Sequence, residues 1–96
     1  MAEWTFLTNH SHVLICIMQN PNIRLSEIAE RVGITQRTAF AIVTDLVDGG
    51  YVSKVKQGRR NAYEVHPELP FRHPIEGHSA IRALFDILEP ASAPAD

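Results

Sequence analysis

The chain has 96 residues, of which 45% are apolar and 21% are charged, and its formal net charge is −2. This length supports one small hydrophobic core rather than two domains, and the composition is that of an ordinary soluble globule. The longest apolar run, residues 13–18, is far shorter than the roughly 20 residues that a membrane span needs. The acidic total excludes a surface that is basic throughout.

Charge is unevenly distributed along the chain. Residues 1–65 hold seven basic and six acidic side chains, whereas residues 66–96 hold two and five. Four of the nine basic residues lie within seven positions, namely Lys54, Lys56, Arg59 and Arg60. Such a local field can steer a polyanion to one face of a molecule that is acidic overall.

The first predicted element is a helix that begins at Thr8 or Asn9 and runs to about Asn20, where Pro21 ends it. It is expected in the core because apolar residues cover most of its circumference, namely Val13, Leu14, Ile15, Ile17 and Met18. Before it lies an apolar N-terminal arm that carries Trp4, Phe6 and Leu7. We expect this arm to pack on the C-terminal helix or on a partner subunit, because large apolar side chains are unfavourable in water.

Residues 25–50 predict two further helices joined by a tight turn. Ser26 is a favourable N-cap for the first helix, Gly33 supplies a left-handed residue that ends it, and Thr35 is a second N-cap. Behind these caps the apolar residues recur at helical spacing: Ile28, Ala29 and Val32, then Ala39, Ile42, Val43, Leu46 and Val47. Gly49 and Gly50 are expected to end the second helix.

A β-hairpin is predicted directly after these helices. Residues 51–57 and 61–65 are rich in β-branched and aromatic side chains, and they bracket a Gly-Arg-Arg tip at residues 58–60. Residues 23–25 are expected to add a short third strand. The hairpin contains all four of the clustered basic residues, so positive charge is concentrated there.

The remainder of the chain predicts a connector, a helix and a tail. Residues 66–74 contain three prolines and are expected to be extended. Residues 75–89 are predicted to form a helix that Pro90 ends, and residues 90–96 to form a frayed tail. The apolar stripe of this helix consists of Ile81, Leu84, Phe85 and Leu88.

A short helix, a glycine-containing turn, a longer helix and a basic hairpin, in this order, resemble the winged helix-turn-helix domain of the MarR-like group of regulators. The resemblance implies a mainly α fold with a small antiparallel β-sheet (α+β), in which residues 1–65 bind DNA and a C-terminal helix is added. It also implies a homodimer made by terminal helices, on a palindromic site whose half-sites lie about one helical turn apart. The expected partner is double-stranded DNA.

In such a fold the longer helix, over about residues 36–48, would enter the major groove, and the basic hairpin at 54–60 would contact the backbone or the minor groove. Arg37 is suited to guanine and Gln36 to adenine, while Phe40 can supply apolar contact. Hydroxyl groups and helix N-termini are suited to phosphate. The candidate DNA-binding residues are Ser26, Thr35, Gln36, Arg37, Thr38, Phe40, Thr44, Lys54, Lys56, Arg59 and Arg60.

The predicted recognition helix carries little positive charge of its own. Ala41 and Asp45 stand where the resembled group usually has Lys or Arg, and Asp48 adds negative charge near the helix end. We therefore expect modest DNA affinity that depends on the hairpin and on dimerisation. A second hypothesis stays open, in which the chain is a winged-helix module for protein–protein contact with little affinity for DNA.

The expected dimer interface combines the N-terminal arm with the stripe of the last helix. Its residues are Trp4, Phe6, Leu7, Ile81, Leu84, Phe85 and Leu88. A symmetric pair of subunits would bury both apolar surfaces. In the alternative arrangement the last helix folds back on its own domain.

Neither catalysis nor a bound metal or cofactor is predicted. His10 and His12 are two residues apart and His73 and His78 are five apart, so neither pair has the i, i+4 spacing of helical metal ligands. Cys16 is the single cysteine, and no phosphate-binding loop or recognisable catalytic triad occurs. A chelating set that joins His10 and His78 across a dimer is the metal alternative, and no small-molecule effector is identified. The expected location is the cytoplasm, since neither a secretory signal nor a cysteine pair is present.

Overall fold

The computed structural model describes residues 4–58 and 60–92, including all side chains of these ranges except those of residues 57, 60, 61 and 88–92. In chain order the elements are α1 (Asn9–Gln19), α2 (Leu25–Val32), α3 (Gln36–Asp48), β1 (Val52–Gln57), β2 (Arg60–Val65) and α4 (Arg82–Ser92). The predicted α+β class is confirmed. The chain divides into two compact units, residues 1–65 and residues 66–96.

Three helices and the hairpin share the core of the first unit. The largest fully buried side chains are Val13 and Ile17 of α1, Ile28 of α2, Val43 of α3 and Val52 of β1. Because such interiors are closely packed, α3 cannot rotate about its axis without exposing its apolar stripe. The opposite face of α3 is therefore held toward solvent.

Local capping chemistry determines where several helices begin and end. The Thr8 hydroxyl accepts the backbone N–H of Ser11 at 3.2 Å, and these two residues open α1. The Thr35 hydroxyl accepts the N–H of Thr38 at 3.0 Å, and Thr35 is the N-cap of α3. Gly33 ends α2 in the left-handed conformation, with a φ of 88°. All three signals were predicted from residue type and are confirmed.

The predicted N-cap at Ser26 is wrong by two residues. α2 begins at Leu25 and its N-cap is Arg24, so Ser26 lies exposed in the first helical turn. The backbone N–H of Arg24 donates to the Glu27 carboxylate at 2.9 Å. This contact explains the earlier start, because a carboxylate at the third helical position can satisfy the donor at the N-cap.

β1 and β2 form an antiparallel pair, and the sheet of the described residues has these two strands. The third strand predicted over residues 23–25 is wrong, since Leu25 already belongs to α2. In place of a third strand, the Pro21 carbonyl accepts the N–H of Tyr63 in β2 at 2.9 Å. One backbone bond thus ties the loop after α1 to the hairpin.

The second unit begins with a folded loop, not with the extended connector predicted for residues 66–74. The N–H of Phe71 donates to the Ser79 carbonyl at 3.0 Å, and the N–H of Ile81 donates to the Leu69 carbonyl at 2.8 Å. The prolines keep this segment out of a helix, as predicted, but they are compatible with turns that reverse the chain.

These backbone bonds also correct the bounds of the last helix. The sequence predicts residues 75–89, but α4 spans Arg82–Ser92. The N–H of Arg82 donates to the Pro67 carbonyl at 3.0 Å, so the preceding residues are held by the loop and not by a helical turn. Pro90 does not end the helix, because α4 continues for two residues beyond it to Ser92. None of the helices in the described ranges is long and apolar enough to cross a membrane.

The apolar face of α4 and its preceding residue is only partly covered. Ile81 and Leu84 are buried in the single chain, whereas Phe85 and Ile87 are 38% and 56% exposed. The side chain of Leu88 lies outside the described residues. Among the described side chains of the predicted stripe, Phe85 is therefore the exposed one. Ile87, which is outside the stripe, adds exposed apolar surface next to it.

The N-terminal arm carries two exposed aromatic rings. Trp4 and Phe6 are 68% and 91% exposed, and they pack edge to face with ring centroids 5.0 Å apart. Leu7 is half-buried. Both rings are therefore open to solvent over much of their surface, and the expectation that the arm packs on the C-terminal helix or on a partner subunit stays a prediction.

Candidate nucleic-acid interface

The N-terminal half of α3 presents a polar and cationic face to solvent. The buried side chains of the helix are Ala39, Ile42, Val43 and Leu46. The exposed side chains of its first two turns are Gln36, Arg37, Thr38, Phe40 and Ala41. Among the described residues, Gln36 and Arg37 have no recorded hydrogen bond or ion pair. Both side chains are therefore available to an external partner.

The threonine hydroxyls predicted to contact DNA differ in availability. Thr44 is half-buried, and its hydroxyl donates to the Phe40 carbonyl at 2.9 Å within the helix. Thr35 and Thr38 are exposed at the start of α3, where the Thr35 hydroxyl donates to the Thr38 hydroxyl at 3.0 Å. The Thr38 hydroxyl keeps its own hydrogen for an outside acceptor, and the helix N-terminus attracts anions, so this pair is better placed for a phosphate than Thr44.

β1 brings a lysine against α3. Lys54 pairs with Tyr63 across the hairpin and lies on the same face of β1 as Val52. Tyr63 and Val52 are buried, whereas Lys54 is exposed. The Lys54 Nζ atom lies 5.6 Å from the centroid of the Phe40 ring, which is 55% exposed. This geometry is that of a cation–π contact. Lys56 follows two residues later on the same face and is exposed.

The hairpin tip supplies the rest of the predicted wing charge. Gly58 opens the turn with a φ of 63°, a conformation that favours glycine. Arg59 and the side chain of Arg60 lie outside the described residues. The described positive charge of the wing is therefore that of Lys54 and Lys56.

Asp45 is not the isolated negative charge that the sequence implies. Its Oδ2 atom lies 2.8 Å from Nε2 of His10 on α1, with the two side chains 65% and 50% exposed. In the tautomer that carries hydrogen on Nε2, His10 donates to the carboxylate. Sequence reasoning missed this pair because 35 residues separate its members.

A compact three-helix core, an exposed helix after a left-handed turn and a hairpin that contacts this helix together form a winged helix-turn-helix. The sequence model of the MarR family matches residues 8–58, which is more than half of the chain. The chain belongs to the MarR family. The matched range includes the exposed face of α3 and all of β1.

Two solved transcriptional regulators share the fold of this MarR-family chain. The PcaV regulator from Streptomyces coelicolor, in complex with its natural ligand, is 22% identical with a TM-score of 0.56, and the match covers 94% of this chain and 64% of PcaV. The zinc-dependent MarR family regulator AdcR, in its Zn(II)-bound state, is 20% identical with a TM-score of 0.50, and the match covers 68% of this chain and 47% of AdcR. This chain thus spans about half to two thirds of the length of these regulators. No curated protein matches the sequence.

Two features of the MarR-family chain bear on other chemistry. Within the ranges that the structure describes, no group of three or more His, Cys, Asp or Glu side chains is arranged to hold a metal ion. Cys16 is buried in α1, and burial raises the pKa of its thiol while the positive charge of Arg31 opposes that rise. A buried thiol with a raised pKa is a poor nucleophile at neutral pH.

Proposed function

We propose that this MarR-family chain regulates transcription by binding double-stranded DNA as a homodimer. α3 enters the major groove, and the β1–β2 hairpin contacts the adjacent backbone or minor groove. The observation that carries the proposal is the exposed first half of α3, whose polar side chains point to solvent while its other side is fixed in the core. Such regulation takes place where the DNA is, in the cytoplasm.

Base reading is assigned to the start of α3. The Arg37 guanidinium can donate two hydrogen bonds to O6 and N7 of guanine, and the Gln36 amide can pair in a similar way with adenine. The exposed Phe40 ring offers apolar contact to a thymine methyl group. Thr35 and Thr38 are proposed to contact a phosphate at the helix N-terminus, and this role is less favoured for Thr44 because its hydroxyl already bonds within α3.

Phosphate contact by basic residues supplies most of the affinity in the proposal. The basic residues proposed to contact phosphates are Lys54, Lys56, Arg59 and Arg60 of the hairpin. The Ser26 hydroxyl at the start of α2 is proposed as an uncharged phosphate contact. If about four phosphates are neutralised per subunit, a dimer has a slope of log K against log salt concentration of about −7. Fluorescence anisotropy of a labelled duplex over a salt series measures this slope, and a binding constant insensitive to salt would contradict the assignment.

Dimerisation is assigned to the N-terminal arm and to the apolar stripe of the C-terminal helix. The exposed apolar side chains that support it are Trp4, Phe6, Phe85 and Ile87. The proposed interface also includes Leu7 of the arm and the stripe residues Ile81, Leu84 and Leu88. A two-fold dimer would bury these rings against each other and set two copies of α3 about one helical turn of DNA apart. Sedimentation velocity at micromolar concentration tests this, and a strictly monomeric protein would exclude it.

The decisive experiment is selection of bound duplexes from a random library with the purified chain. The expected result is enrichment of a palindromic site with guanine and adenine at the positions that Arg37 and Gln36 contact. Binding with no enriched sequence would remove the base-reading role, and no binding at low salt would remove the DNA-binding proposal.

One observation favours a second candidate function, a winged-helix module for protein–protein contact. α3 carries Arg37 as its single basic residue against Asp45 and Asp48, so the helix as a whole is negatively charged. A phosphate backbone disfavours this balance, whereas a basic protein surface would accept it. A gel shift with mixed-sequence duplex at low salt separates the two candidates, because the second one predicts no complex.

A further inference from the structure

We infer that Phe40 is a positioning residue that holds the Lys54 ammonium at the junction of α3 and β1, where Lys54 contacts a phosphate of the bound duplex. The inference rests on the proposed DNA-binding function. It assigns Phe40 a role through another side chain, in addition to any apolar contact with a base. It also makes Lys54 a contact of fixed position, unlike an ordinary mobile surface lysine.

The exposure of Phe40 is the first observation behind this inference. The ring is 55% exposed and lies outside the buried stripe of α3, so core packing does not account for a large aromatic side chain here. The Lys54 Nζ atom lies 5.6 Å from its centroid, within the range of about 6 Å in which a ring attracts a cation. The contact joins the two elements that the proposed DNA complex uses.

The chemistry of the partner is the second observation. A carboxylate would hold Lys54 in place but would also cancel its charge, whereas an aromatic ring fixes the ammonium and leaves the full charge available to a phosphate. No ion pair of Lys54 is recorded among the residues that the structure describes. Glu64 of β2 pairs with Ser53 and so lies on the other face of the hairpin.

The position of Arg37 is the third observation. Arg37 lies three residues before Phe40, so the two side chains are neighbours on the surface of α3. The ring is therefore a neighbour both of the arginine proposed to read a base and of the lysine proposed to contact the backbone. A change at Phe40 can thus be felt by both kinds of contact.

A double-mutant cycle tests the inference, with Lys56 as the matched control on the same strand and the same face. In anisotropy titrations with the selected duplex, Phe40→Leu should weaken binding about two- to fivefold per subunit, the fold-change that corresponds to an exposed cation–π contact. The same substitution should cause a smaller loss in a Lys54→Ala background, where only an apolar contact with a base is left to lose, and its full loss in a Lys56→Ala background. Phe40→Tyr keeps the ring and should retain the coupling to Lys54 in the same cycle. Equal losses in both lysine backgrounds would overturn the inference.

Salt dependence and a DNA-free measurement complete the test. Lys54→Ala should reduce the magnitude of the salt slope by about 2 for a dimer, and Phe40→Leu should reduce it in the same direction. A purely structural role of Phe40 would leave the slope unchanged. In the free protein, NMR should find the Lys54 ε-methylene protons shifted upfield by the ring, with the shift lost in Phe40→Leu and kept in Lys56→Ala. A wild-type protein that binds no DNA overturns the proposed function and this role with it, whereas DNA binding with additive losses overturns this inference alone.

Discussion

Replacing Gly33 with alanine should lower the free energy of unfolding by about 1 kcal/mol, and the structure separates the contributions to this value. Gly33 has a φ of 88°, and its N–H donates to the Ala29 carbonyl at 2.8 Å. A Cβ atom at this position would have no neighbouring heavy atom within 4 Å, so no steric clash contributes. The left-handed conformation costs an L-residue about 1–2 kcal/mol, and the lower entropy of the unfolded alanine chain offsets about 0.4–1 kcal/mol of that cost.

Gly49, which ends α3 as Gly33 ends α2, provides the matched control. It has a φ of −79° and a ψ of −6°, a right-handed conformation that alanine adopts readily. Gly49→Ala therefore carries no left-handed cost, and the lower entropy of the unfolded chain should stabilise the protein by about 0.4–1 kcal/mol. Gly33→Asn should be less destabilising than Gly33→Ala, because asparagine tolerates the left-handed region better than alanine does.

Urea unfolding followed by far-UV circular dichroism measures all three variants. Fluorescence of Trp4 is a poor reporter because this side chain is already 68% exposed. The variants must be compared at one protein concentration, since dimerisation makes the apparent stability depend on concentration. A Gly33→Ala protein as stable as the wild type, or a Gly49→Ala protein equally destabilised, would refute the assignment of the cost to backbone conformation.

Further predictions concern the helix starts, the DNA contacts and the buried thiol. Thr35→Ala should lower the free energy of unfolding by about 1 kcal/mol because it removes an N-cap, whereas Ser26→Ala should change it little because Ser26 is not a cap; thermal unfolding compares the two. Arg37→Ala should reduce the preference for the correct base at one position by about 1–3 kcal/mol. Lys56→Ala should instead weaken binding to all sequences and reduce the salt slope. Anisotropy titrations with matched and altered duplexes measure both effects. Burial raises the pKa of the Cys16 thiol, so as the pH rises the thiol loses its proton in the unfolded chain before it does so in the folded protein. The free energy of unfolding should therefore fall above about pH 8.5, the ordinary pKa of a cysteine. This fall should be less steep in Cys16→Ala. Thiol labelling of the native protein should accordingly be slow at pH 7 and fast in urea.

The parts of the fold that could be predicted are those in which neighbouring residues decide the geometry. Thr8 and Thr35 each cap a helix with a bond to an N–H three residues later, and Gly33 supplies a conformation that other residue types avoid. These events need no information from elsewhere in the chain. The wrong N-cap at Ser26 is also a local error, because the Glu27 carboxylate accepts the N–H of Arg24 and the N-cap lies two residues earlier than predicted.

The larger errors come from backbone groups that bond to distant segments. The sequence predicts a helix from residue 75, but the N–H of Ile81 donates to the Leu69 carbonyl and that of Arg82 to the Pro67 carbonyl, so the helix begins at Arg82. No pattern within the helix itself could show this competition. The expected third strand at residues 23–25 failed for a related reason, because α2 begins at Leu25 and includes the end of that segment.

The candidate site shows the same division between local and distant information. Helical periodicity alone predicts that Gln36, Arg37 and Phe40 lie outside the core, and their exposure follows from it. The contact between Phe40 and Lys54 needs the register of the hairpin as well as the periodicity of the helix. One signal for it was present in the sequence, because Lys54 follows Val52 by two residues and must share its face of a strand. If Val52 faces the helices, Lys54 does too, and an exposed ring on α3 is the partner that can hold its charge without neutralising it.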